Sequence, residues 1–122
     1  MPSEKQIQDV FDRIAADMPG FIAASLVDLE SGMTLGVKSH RPEFDLTAAS
    51  AYNSELVKQK LKVMKALNLK TNLEDMLLTL GDQIHLIKVV SPSSFVYLAA
   101  DRANSNLAIV RNVVMKNITG LS

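Results

Sequence analysis

The sequence predicts an α+β fold: five strands in one antiparallel sheet with helices on both faces, in the order α-β-β-α-β-β-β-α, as a single domain over residues 1–122. Three observations carry this. The runs 21–29 and 95–100 are apolar on both alternating sets of positions, as strands covered on two faces are. Residues 46–67 repeat their apolar positions at a helical period. The runs between 73 and 100 are joined by Gly81-Asp82 and by "SPSS", links so brief that the strands they connect must be antiparallel neighbours.

Residues 3–17 read as the first helix, because Ile7, Val10, Phe11 and Ile14 recur at three- and four-residue steps and Ser3 with Gln6 matches a capping box. Pro19 and Gly20 stop it. The strand 21–29 follows, ending at the stretch "LVDLESGMTLG", where Glu30, Ser31 and Gly32 turn the chain into a second strand at 33–37. "KSHRPEF" is a loop, and Asp45 or Thr47 caps the next helix. In that helix Leu46, Ala49, Leu56, Val57, Leu61, Val63, Met64 and Leu67 occupy one arc of roughly 160° at 100° per residue. Lys58, Lys62 and Lys65 fall opposite, with Glu55. After "NLKTN", strands are expected at 73–80, 83–90 and 95–100. "DRANSN" then leads into a last helix with Leu107, Val110, Val114 and Ile118 on its buried stripe, ending at Gly120.

Composition narrows the function. Lys+Arg 13 against Asp+Glu 13 gives no net charge, so the counterion release that drives nucleic-acid binding has no evident source. The absence of cysteine removes disulfides and thiolate chemistry. "MPSEKQIQDVFDRIAADMPG" lacks the apolar core of a signal peptide, and no run approaches the roughly 18 apolar residues of a membrane span. A cytoplasmic protein with neither nucleic acid nor membrane as partner is the expectation.

Catalytic constellations are equally hard to assemble. His85 sits in an alternating polar slot of a strand, facing solvent or a partner, and His40 lies in a polar loop beside Arg41. Glu74 and Asp75 are adjacent in a strand, so they point to opposite faces and cannot share an ion. Gly32 and Gly36 flank a strand and open no helix, so no phosphate loop exists. The reading is a non-enzymatic protein with no catalytic residue, cofactor or metal.

Two segments are unusual. Asn53 and Lys60 interrupt the apolar arc of the long helix one heptad apart. They either lie at its margin, the lysine stem covering apolar surface, or fix the register of a helix pairing with its symmetry mate. If the last three strands run outward from the sheet centre, "LEDMLLT" is an edge, which invites pairing with another chain. A homodimer through this strand and the long helix is the hypothesis, with Glu74 and Asp75 as guards of the edge or as register markers.

The element order, "LVDLESGMTLG" and "DMLLTLGDQIHLIKVVSPSSFVYLAADRANSNLAIVRNVV" resemble the Roadblock/dynein light chain (Roadblock/LC7, MglB-like) family. Asp101, Arg102, Asn106, Leu107 and Arg111 resemble the family's closing strand and helix, and the likeness runs from about residue 7 to 118. It implies a Roadblock/profilin-like arrangement: the middle helix on one face of the sheet, the two terminal helices on the other. It further implies dimerisation through third strands and paired middle helices. Those map here onto Leu46, Ala49, Tyr52, Asn53, Leu56, Lys60 and Met64, and onto Leu73, Asp75, Leu77 and Thr79. The function implied is a scaffold or regulator that binds a small Ras-like GTPase, as bacterial members do without supplying an arginine finger. Tyr52, Asn53, Leu56 and Lys60 are the candidates for partner contact. The alternative is a small-molecule-sensing module, with Ala23, Ala24, Ser25, Ala99 and Ala100 leaving room for a ligand.

Overall fold

The computed structural model describes residues 2–121. Its elements are α1 (Glu4–Asp17), β1 (Phe21–Asp28), β2 (Thr34–Ser39), α2 (Leu46–Ala66), β3 (Asp75–Thr79), β4 (Gln83–Ser91), β5 (Ser94–Asp101) and α3 (Leu107–Asn117). The five strands form one antiparallel sheet in the order β2-β1-β5-β4-β3. The predicted class and element order are those observed.

β1 and β5 are the inner pair, which is why both are apolar on each alternating set: Phe21 to Val27 and Phe95 to Ala100 are buried without interruption. One face packs against α1 and α3, with Ile7, Phe11, Ile14, Val110 and Val114 meeting Leu26, Leu86, Val96 and Leu98. The other face carries α2, with Leu46 and Val57 against Ile22, Val27, Ile87, Phe95 and Tyr97. Each fully buried aliphatic or aromatic side chain contributes roughly 1.5–3 kcal/mol, so the two faces together give a small chain its stability.

Side-chain caps set the helix starts. Ser3 and Gln6 form the reciprocal box on α1, Asp45 accepts from the Ala48 N–H at 3.0 Å, and Asn106 from the Ile109 N–H at 2.9 Å. Asp45, not Thr47, is therefore the cap of α2. α2 ends in a Schellman turn: Asn68 N–H bonds to Lys65 O and Leu69 N–H to Met64 O, both at 3.0 Å, with Asn68 at φ 56°. A left-handed asparagine is costlier than glycine there, so Asn68→Gly is expected to raise stability by about 0.5–1 kcal/mol, read as a higher urea midpoint at unchanged slope.

Most boundaries shift by a residue or more from the sequence reading, and three of the shifts bear on the argument. β2 occupies Thr34–Ser39 where 33–37 was expected, because Met33 sits in the turn, its O accepting from the Asp28 N–H at 2.9 Å. β3 is shorter than 73–80: its ladder with β4 runs from Asp75 to Thr79, and Leu73 precedes it. α3 stops at Asn117, leaving Ile118 as its C-cap.

The β1–β2 turn is held locally and against α2. Ser31 donates to Asp28 through its hydroxyl (2.6 Å) and main-chain N–H (3.0 Å), and these bonds, the hydroxyl's first, lower the Asp28 pKa. Gly32, at φ 75°, lies so close to Ser54 and Ala51 that a side chain would collide with α2, and Lys58 Nζ donates to Glu30 O at 2.8 Å. The turn is thus a bracket for the long helix. Gly36 performs a similar service on the other face, where Ile7 of α1 occupies the space a β-carbon would need.

Candidate functional site

α2 packs mainly over β1 and β2, leaving the β3–β4 half of its face of the sheet less covered. Its sheet-facing row is Leu46, Ser50, Ser54, Val57 and Met64. Small residues let it sit low: the Ser25 and Ser50 hydroxyls are 2.8 Å apart and fully buried, and Ser54 donates to Ala51 O at 3.0 Å. Ala23, Ala24, Ser25, Ala99 and Ala100 are completely buried, so close packing takes up the room the ligand reading assigned to them.

The single apolar arc is corrected into two stripes. One is buried as above. The other faces solvent: Tyr52 is 78% exposed, Leu67 64%, Leu56 and Val63 37% each. Asn53 and Lys60 lie on the border between the stripes, on the side turned toward β3. The Asn53 amide donates to Ala49 O at 2.7 Å, while Lys60 is exposed. An exposed apolar stripe on a helix already seated on its sheet has no role in the core.

β3 closes the sheet at one end. It pairs with β4 on one side, and on the other with no strand among the described residues. Lys60 and Met64 of α2 and Leu73, Glu74 and Asp75 at the start of β3 share an open groove of about 570 Å³, whose rim includes Lys88 and Arg111. The groove is where the two segments suspected from the sequence meet. Leu77 instead faces α1 and α3, and Leu46 and Met64 are buried within the chain; Thr79 is exposed and Ala49 and Leu73 half-covered. Asp75 is gripped by Arg111 of α3 through two bonds of 3.1 and 2.8 Å, so its carboxylate first of all ties β3 to α3.

His85 is corrected as well: it does not face open solvent. It is half-buried beside Phe44 and Tyr97, with ring centroids 6.3 and 5.4 Å away. Gln83 Oε1 accepts from Nε2 at 2.8 Å, which leaves Nδ1 to accept from the buried Tyr97 hydroxyl at 3.2 Å. Burial lowers the His85 pKa, against the pull of Asp82, and raises that of Tyr97 to about 12. With the folded pKa below the unfolded value near 6.5, the unfolded chain takes up the proton first as pH falls. Stability should therefore be complete above about pH 6.5 and decline below it, and His85→Gln should flatten that part of the denaturation-midpoint profile.

Val63 and Leu67 are legible as apolar letters but read as part of a buried arc, and Met76 and Leu78, half-covered on the α2 face, stand out in the sequence only as edge residues. Among the described residues no group of His, Asp and Glu comes together to hold a metal ion, and no helix is long and apolar enough to cross a membrane.

No family model matches the chain, and no curated protein matches its sequence. Solved structures do match. Against Myxococcus xanthus MglB the TM-score is 0.83 at 17% identity, covering 95% of this chain and 91% of that one. The gliding protein MglB of Thermus thermophilus gives 0.84 at 14% identity, covering 97% and 87%. A Roadblock/LC7 domain from Streptomyces avermitilis gives 0.71 at 12% identity, covering 94% and 91%. Over nearly its whole length, then, the chain has the Roadblock/LC7 fold, in the form MglB displays.

Proposed function

We infer that the chain is an MglB-like member of the Roadblock/LC7 family, a homodimeric scaffold or regulator without catalytic activity of its own that binds a small Ras-like GTPase in the cytoplasm. The observation that carries this reading is the solvent-facing stripe of Tyr52, Leu56 and Val63 beside the open edge of β3. A two-fold axis past that edge pairs β3 with its copy, extends the sheet and brings the two α2 helices together over the uncovered half. Such a contact supplies the backbone partners an edge strand lacks and removes apolar stripe from water. The GTPase is drawn from the likeness to MglB and from the paired helices as a platform.

Sedimentation at micromolar concentration tests the dimer, and titration with small GTPases loaded with GDP or GTP tests the partner. A clean monomer rejects the first, and failure to bind any GTPase of the source organism in either state rejects the second. A second reading has one observation in its favour: a groove of about 410 Å³ between the distal half of α2 and the β4–β5 turn, lined by Val57, Leu61, Leu73, Val89 and Phe95. A metabolite copurifying with the protein, or one that raises its melting temperature, would establish that groove as a ligand site.

A further inference from the structure

The chain is neutral overall, but the charge is distributed unevenly. Between Glu55 and Glu74 there is no acidic residue, while Lys58, Lys60, Lys62, Lys65 and Lys70 all fall there. Lys58 is engaged with the Glu30 carbonyl and Glu55. Lys62, Lys65 and Lys70 form no ion pair among the described residues. From residue 65 to residue 72, at the end of α2 and in its exit turn, every residue is exposed. The apex of this projection is apolar: Leu67 is 64% exposed and Leu69 48%.

We propose that this projection is a membrane-surface contact, in which Leu67 and Leu69 enter the headgroup layer of an anionic bilayer and Lys62, Lys65 and Lys70 engage its phosphates. One feature of the projection favours a lipid surface over an acidic protein. Its cations surround the helix end: at 100° per residue, Lys62 and Lys65 point roughly 60° apart and Lys60 lies on the far side, so an end-on approach to a fluid plane satisfies them together. Exposed leucines within a ring of lysines combine apolar burial with attraction to anionic lipid, the two contributions that hold peripheral proteins at a bilayer. The proposal does not depend on the GTPase reading, since the segment argued to pair in the dimer ends at Met64.

Flotation of the full chain with phosphatidylcholine vesicles, with and without phosphatidylglycerol, tests it. Binding is expected to the mixed vesicles alone and to weaken as salt is raised. Each lysine near the surface is worth about a fivefold change in partitioning, so Lys62→Gln/Lys65→Gln/Lys70→Gln should lose well over tenfold. Leu67→Ser/Leu69→Ser should lose binding while keeping the circular dichroism and sedimentation of the parent. Three results would each overturn the proposal: equal binding to neutral vesicles, indifference to both variants, or retention by poly-glutamate with none by any vesicle.

Discussion

Tyr52→Glu is expected to sediment as a folded monomer at concentrations where the proposed dimer of the parent chain forms. In the single chain Tyr52 is 78% exposed, so a carboxylate there stays in water and folding changes by no more than about 0.5 kcal/mol. Between two apposed α2 helices the same carboxylate would lose its water without gaining a cation, and the two-fold axis would bring its twin near it. Desolvating an unpaired charge costs several kcal/mol, so the dissociation constant should rise by about a hundredfold or more. Exposed tyrosines are also frequent anchors of protein contacts, which adds to the loss on truncation. The check is sedimentation equilibrium together with an unchanged circular-dichroism spectrum. A variant that remains dimeric would place the interface elsewhere.

Phe95→Ala should have the largest effect on folding. Phe95 is 1% exposed on β5, beneath α2 and at the wall of the groove that Val57 and Leu61 also line. Removing a buried ring costs about 3–5 kcal/mol, a large share of the roughly 5–15 kcal/mol available to a domain of this kind. A urea titration should show a lower midpoint at an unchanged slope. Because the void would open directly below α2, the variant should also bind any α2 partner more weakly than its residual folded fraction accounts for.

Much of the architecture can be read from residue order. Two-face apolarity at 21–27 and 95–100 marks the inner strands, and Ser3, Asp45 and Asn106 announce the helix starts, because both signals are local. The long helix shows where that stops. Periodicity finds an apolar arc but not what covers it, so Val57 under the sheet contacts and Val63 in water look alike. Ser50 and Ser54 read as polar letters, although Ser25 and the Ala51 carbonyl satisfy them inside the core. His85 owes its burial partly to Phe44, a residue distant in sequence, and no alternation pattern within β4 could have revealed it. The residues of the proposed interface follow from the edge of the sheet and the family resemblance, and geometry then separates Tyr52, Leu56 and Lys60, which face outward, from Leu46 and Met64, which do not.

The placement of β1 beside β5, Phe21 opposite Ala100, has a consequence for how the chain reaches this state during synthesis. A ribosome releases the first strand long before the strand that completes its pairing. Until β5 emerges, α1, the β1–β2 hairpin and α2 have only half a sheet to rest on, and their apolar surfaces stay accessible to chaperones or to other nascent chains. Truncation anywhere before residue 94 should accordingly yield an aggregation-prone product, not a smaller folded domain.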